Sequence, residues 1–221
     1  MQSFFDMGQL DLTEVELNLQ KSNLLCLISI IMVAAFCLAA QKSGAQESYA
    51  KTPADYEGPF YPVSKQQDID NDLVHVQGQN GTAKGDILNL SGVVVNTKGE
   101  AQKNCIIEIW QTDPQGRYNH PGDSTPGERD PYFQYWGATF TDVDGKYFFK
   151  TVVPGSYEPR PAHIHYKVLQ DGKVILTSQI YFMKPEESTK LPSMTSQIEL
   201  QTVNLKPTAS GEFKAFFRIV I

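Results

Sequence analysis

RPAHIHYKVLQDGKVILTSQIYF, Arg160 to Phe182, decides the fold. Successive side chains of an extended chain point to opposite faces. His163, His165 and Lys167 therefore share one side, and Ile164, Tyr166 and Val168 share the other. Asp171-Gly172-Lys173 supplies a turn, and VILTSQIYF returns as the second arm of a hairpin. The apolar side reads as core, and the side with the histidines as an otherwise polar face. Two residues apart on one strand, the imidazoles are rooted about 7 Å from each other, close enough for one metal ion to take both. The plain alternative is an amphipathic strand with two solvent-facing histidines. What decides between them is which other residues reach the same face.

The same period-two pattern recurs outward from this hairpin. DILNLSGVVV (86–95), NCIIEIWQT (104–112), YWGATFT (135–141), KYFFKTVV (146–153) and EFKAFFRIVI (212–221) all read as short strands. In the second, Cys105, Ile107 and Ile109 face one way and Ile106, Glu108 and Trp110 the other. Asp142-Val143-Asp144-Gly145 is a turn of the Asp-Gly type. About seven closely spaced strands and no long 3.6-residue period predict an all-β, immunoglobulin-like β-sandwich of short antiparallel strands over residues 86–221. Residues 46–85 are rich in Gln, Asp, Gly, Pro and Asn and predict an irregular arm that wraps the domain.

The chain has 221 residues and a formal charge of −6, which argues against nucleic acid or an anionic membrane surface as partner. Leu24 to Ala40 is an apolar run, and Ser43-Gly44-Ala45 puts small residues at −3 and −1 of a cut after Ala45. Residues 1–45 are thus expected to be a leader, either a cleaved signal peptide or an uncleaved anchor. The protein is then exported, periplasmic or secreted, and meets a membrane only if the leader stays. Four acids against Lys21 in the first 22 residues are unusual for such a segment. Cys26 and Cys37 lie inside the run, so the domain keeps only Cys105 and cannot close an internal disulfide.

Soft and nitrogen ligands beyond the histidine pair are scarce. His75 lies in the arm, His120 in a loop, and Cys105 points into a strand pair, so a tetrahedral zinc site is poorly supported. Tyrosines are nearer: Tyr157 lies six positions before His163, and Tyr118 ends the segment WQTDPQGRY. A phenolate is a hard anionic donor with a pKa ordinarily near 10, so only a strongly Lewis-acidic cation keeps it ionised at neutral pH. Fe(III) meets that requirement better than Zn(II) or Fe(II). Each tyrosine taken alone reads equally as packing in an aromatic-rich sandwich, but Tyr157 leaves the Pro154-Gly155-Ser156 turn rather than the middle of a strand.

GPFYP (58–62), LSGVVVNTKGE (90–100), IEIWQTDPQGRY (107–118), GATFTDVDGKYFFKTVVPGSY (137–157), RPAHIH (160–165) and LTSQIYF (176–182) stand in one order. Together they resemble the intradiol ring-cleavage dioxygenases, in particular short protocatechuate 3,4-dioxygenase-like members. The resemblance implies a mononuclear non-haem Fe(III) held by Tyr118, Tyr157, His163 and His165. It implies a catechol-type diol and O2 as partners and a cis,cis-muconate-type diacid as product. Tyr157 would be the ligand that the incoming diol displaces, and Arg160 the cation that stabilises charge on the activated ring. Gln179 would be a polar neighbour of the iron, and Pro59 and Tyr61 would line the substrate pocket. Asp113 and Gly116 shape the turn that presents Tyr118. Self-association into a homo-oligomer is left open. The short Tyr157–His163 connection departs from the large protocatechuate enzymes and removes residues that would read a ring substituent. A non-catalytic exported β-sandwich that binds a ligand beside a vestigial metal site, or a copper or zinc H-x-H protein, are the competing classes.

Overall fold

In the computed structural model, residues 48–64, 68–157, 159–183 and 196–221 are described. The leader expected over residues 1–45 lies outside them. Among the described residues no helix is long and apolar enough to cross a membrane.

The chain forms nine strands and one short helix among these residues: β1 (Ile87–Val95), β2 (Ile106–Gln111), β3 (Trp136–Phe140), β4 (Lys146–Val152), β5 (His163–Gln170), β6 (Lys173–Met183), α1 (Ser196–Glu199), β7 (Thr202–Asn204), β8 (Lys206–Pro207) and β9 (Phe213–Val220). They build a four-stranded sheet in the order β4-β1-β9-β8 and a five-stranded sheet in the order β3-β2-β5-β6-β7. The all-β sandwich expected from the strand pattern is what the sequence forms. Its pairing departs from the all-antiparallel expectation at two places, since β1 runs parallel to β9 and β6 parallel to β7. Both partners come from the last quarter of the chain, and neither parallel pair is joined by a hairpin.

The core lies between the sheets. Leu88, Leu90, Phe149, Phe217 and Ile219 of one sheet, and Ile107, Ile109, Ile164, Tyr166 and Val168 of the other, are buried there. Cys105, a free thiol, lies among them. Each fully buried apolar side chain of this kind contributes roughly 1.5–3 kcal/mol. The period-two reading of β5 is therefore met on its inner side.

The outer face of the five-stranded sheet is covered by the arm of residues 48–64. The Asp55 N–H donates to the Thr177 carbonyl, and the Gln179 amide donates to the Tyr56 carbonyl. Glu57 and Lys167 form an ion pair at 2.7 Å. Tyr61 donates its hydroxyl proton to Glu108 at 2.7 Å. This cover buries His163, His165 and Lys167, which the sequence pattern alone places on an open polar face.

Candidate metal centre

One half of the centre is carried by a strand. On β5, His165 stands directly opposite Trp110 of β2 and Gln179 of β6, and His163 opposite Tyr181. Residues paired in this way share a face. The Trp110 indole stacks on the His165 ring with 4.9 Å between centroids and planes 8° apart. His163 Nδ1 lies 2.6 Å from the Pro161 carbonyl, which makes Nδ1 the protonated nitrogen and leaves the Nε2 lone pair pointing inward. The two Nε2 atoms stand 3.0 Å apart.

The other half is carried by loops. After β2 the chain turns on Asp113, whose Oδ1 accepts from the Gln115 and Arg117 N–H groups and whose Oδ2 accepts from Arg117 Nε and the Tyr135 hydroxyl. Gly116 has φ +80, a left-handed conformation that favours glycine, and its N–H returns to the Asp113 carbonyl. The next residue but one is Tyr118. Its N–H donates to Asp123 at 2.5 Å, and its carbonyl accepts from Arg129 Nε at 3.0 Å. Tyr157 is brought alongside because the loop after β4 is laced to the same turn. The Gly155 N–H donates to the Asp113 carbonyl, and the Thr112 hydroxyl donates to the Gly155 carbonyl. Tyr157 and Arg160 then close a tight turn by exchanging backbone hydrogen bonds.

The two halves meet. Tyr118 Oη is 3.3 Å from His163 Nε2. The Tyr157 ring is 5.7 Å from that of Tyr118 and 5.5 Å from that of His163. Phe60 closes the group from the arm, 4.9 Å from Tyr118 and 6.4 Å from Tyr157. Gly58, just before it, passes so near that an added Cβ would stand 3.1 Å from His165 Cε1.

Burial first, then the charge of a protonated His163 and of Arg160, pushes the His165 pKa down to about 2. Burial and Arg160 lower that of His163 as well, although its bond to Pro161 opposes them. Both rings are therefore neutral at neutral pH and hold lone pairs for a cation. Burial, and after it the neighbouring Tyr157, raises the Tyr118 phenol far above its ordinary value. Without a cation it stays protonated. The Arg160 charge lowers the pKa of Tyr118, His163, His165 and Tyr181 alike.

This donor set fits a single hard cation. One ion about 2.1 Å from each of two imidazole nitrogens brings them to about 3 Å of each other, the spacing found here. A backbone carbonyl bonded to the far nitrogen of a ligating histidine, as Pro161 is to His163, is the usual means of fixing such a ligand. Among the described residues no cluster of three or more His, Cys, Asp and Glu could hold a metal, so the tyrosines are needed to complete a site.

The remaining sequence candidates fall as follows. Gln179 is fully buried and stands beside His165, with its amide spent on the Tyr56 carbonyl and the Tyr181 hydroxyl. Tyr61 packs edge-on against Trp110 at 5.0 Å and turns its hydroxyl to Glu108. Pro59 is exposed. The aromatic wall of the GPFYP segment is Phe60. Sequence reasoning passed over Phe60, over Trp110 as a stacking platform and over Tyr181, 5.9 Å from His163. The position of Trp110 on the Glu108 face was the signal for the second of these.

A family model described as "Dioxygenase" matches residues 56–196. The protocatechuate 3,4-dioxygenase beta chain of Burkholderia cepacia is 34% identical over 137 residues, covering 58% of each chain. Catechol 1,2-dioxygenase 2 of Acinetobacter lwoffii is 31% identical over 151 residues, covering 58% of this chain and 50% of that one. The chain thus spans about half the length of these curated relatives. Among solved structures, the dioxygenase domain of a dioxygenase–carbohydrate-binding protein fusion from Streptomyces sp. SirexAA-E aligns at a TM-score of 0.59 and 26% identity, over 78% of this chain and 98% of that one. An intradiol ring-cleavage dioxygenase from Tetranychus urticae has the same fold at a TM-score of 0.60 and 22% identity, over 78% of this chain and 95% of that one. A β-sandwich with histidine donors on one strand and tyrosine donors on the loops beside it is the class that fold and site define. The chain belongs to the intradiol ring-cleavage dioxygenase family.

Proposed function

We propose that this protein is a mononuclear Fe(III) intradiol dioxygenase. It inserts both atoms of O2 into a catechol-type, protocatechuate-like diol and opens the ring between the two hydroxyl-bearing carbons to a cis,cis-muconate-type diacid. The observation that carries the reading is the convergence of Tyr118 Oη, His163 Nε2 and His165 Nε2 within 3.3 Å contacts, with Tyr157 beside them. The relatives' names, which concern protocatechuate and catechol, support the substrate class.

Tyr118, Tyr157, His163 and His165 would hold the ion. Bound there, Fe(III) supplies Lewis acidity that favours the deprotonated diol and draws electron density from its ring. The protein's own groups do the rest. Trp110 and Pro161 hold the two imidazoles in orientation. Tyr157, on a half-buried turn rather than a strand, can swing aside, and its Oη takes up a proton from the arriving diol. Arg160 sets a fixed positive charge where the ring accumulates negative charge, a preorganised electrostatic device. Phe60 and the arm exclude water from the Tyr118 side. The protein is exported in this reading, on the strength of the apolar run and small-residue cut site before Gln46.

Purified protein loaded with Fe(III) is expected to be red-purple from tyrosinate-to-iron charge transfer. The colour should shift when a catechol is added, and a panel of catechols should drive O2 uptake. Protein that stays colourless after loading overturns the ferric site. Coloured protein that consumes no O2 with any diol converts the reading to a non-catalytic binding protein.

A further inference from the structure

The outward face of the four-stranded sheet lies on the other layer from the metal centre and carries a pattern that ring cleavage does not use. Register places its side chains in three rows. Phe148, Ser91 and Phe216 form the middle row, with Ser91 directly opposite both phenylalanines. Lys150, Asn89, Lys214 and Lys206 form a row on one side, and Lys146, Val93 and Arg218 a row on the other. Phe148 and Phe216 are 42% and 58% exposed. Lys206 and Lys214 are directly paired, an arrangement of like charges that destabilises a sheet unless an anion lies between them. The nearby acids are partly engaged, Asp144 with Lys146 and Glu212 with the Asn89 amide.

Beside Phe216 the face dips into a groove of about 450 Å³, lined among others by Ser91, Thr202, Asn204, Lys206, Lys214 and Phe216. It forms where the chain crosses from β7 at the edge of one sheet to β8 at the edge of the other. An aromatic ring, two hydroxyls, an amide and two ammonium groups around one concavity suit a ligand with flat apolar faces, many hydroxyls and a carboxylate.

We propose that this face and groove bind an acidic polysaccharide, a β-linked chain of pyranose rings bearing carboxylates. Two strand spacings separate the phenylalanines, roughly 10 Å, and a β-1,4-linked chain presents alternate sugars with like orientation at such a repeat. The ring faces pack on Phe148 and Phe216, and the carboxylates meet the flanking cations. The cations gather on this face of a protein whose net charge is −6, so attraction is local rather than general. A ringless polyanion would leave the phenylalanines without a role. A single-stranded nucleic acid would bring a charge on every unit against the same net repulsion.

The test is affinity electrophoresis of the full chain in native gels containing carboxymethyl cellulose. Hydroxyethyl cellulose, polyacrylate and single-stranded oligothymidylate serve as the other probes. Carboxymethyl cellulose should retard the protein most, and less so as salt rises. Phe216→Ala should weaken the apparent affinity about tenfold, the loss of one aromatic stacking contact. Lys206→Gln with Lys214→Gln should weaken it at least as much and flatten the salt dependence. Both variants keep wild-type O2 uptake, since neither touches the metal centre. Absence of retardation overturns the proposal. So does equal retardation by polyacrylate that survives Phe216→Ala, which marks simple ion exchange. Tighter binding to oligothymidylate overturns it in favour of a nucleic-acid surface. Should Phe216→Ala fail to fold, the double lysine variant and the probe series decide alone.

Discussion

The two halves of the candidate metal centre are positioned by different physics. His163 and His165 belong to β5, which is hydrogen-bonded on both sides by β2 and β6, and their inward neighbours Ile164 and Tyr166 are fully buried. Any displacement of these imidazoles must drag the sheet and its core with it. Tyr118 and Tyr157 hang on loops whose shape is fixed by a few buried polar atoms, chiefly Asp113, Thr112 and Asp123. The strand half is robust because its support is distributed. The loop half is adjustable, and its failure is local. In the proposed reaction, a site that keeps two ligands in place while another makes room for substrate would gain from that division.

The largest effect is expected from cutting the loop half at its donor. Tyr118→Phe should lower turnover by more than the roughly 10–100-fold that loss of an outer-sphere partner costs, and should change the colour of the ferric protein. Stopped-flow O2 consumption and visible absorption measure both, and near-normal turnover would remove Tyr118 from the ligand set. Next, Arg160→Ala should preserve the colour but slow ring opening by about 100-fold, the usual loss for one electrostatic stabiliser. A paired comparison separates the halves. Ile164→Ala under the strand should cost about 2–5 kcal/mol in urea unfolding while the folded protein keeps its spectrum. Asp113→Asn under the loop should cost about 1–3 kcal/mol and shift the spectrum. If both variants alter colour alike, the division between distributed and local support is wrong.

Gly58→Ala should cost about 1–2 kcal/mol, because φ is +79 and His165 stands close by. The smallest effect concerns pH. The folded pKa values of both histidines lie below the ordinary 6.5. Their contribution to the stability of metal-free protein is complete above that value. It is lost as pH falls below 6.5 toward the folded values, since the unfolded chain then binds protons that the folded one refuses. Thermal melts of metal-free protein from pH 7.5 to 5 should show the decline, and His165→Phe should reduce it.

Much of this was legible in the sequence, and the remainder was unreadable for definite reasons. Seven strands followed from alternation and Asp-Gly or Gly-containing turns, and the shared face of His163 and His165 followed from the same period. Thr202–Asn204 and Lys206–Pro207 are too short for a period, and one contains proline, so β7 and β8 left no pattern. The parallel pairing of β1 with β9 joins segments with most of the domain between them, which no local signal encodes. Burial of the histidines depends on Glu57, Phe60 and Tyr61, about a hundred residues earlier, and those residues look like a proline-rich turn until they are folded onto β5. The tyrosines were legible as members of motifs. The reason they converge, the lacing of Thr112 and Asp113 to Gly155, was not.

One feature of the topology bears on how the protein is made. β9, Phe213–Val220, lies between β1 and β8, and the Val220 backbone is bonded to Thr52 at the start of the arm. The four-stranded sheet therefore lacks an inner member until residue 220 has left the ribosome, and the arm has no anchor there before then. Synthesis must carry an incomplete sandwich with an open sheet edge until β9 emerges, the state most exposed to mispairing. Ribosome-bound chains stalled before Phe213 should be protease-sensitive throughout, and protection should appear in one step once β9 is clear of the exit tunnel.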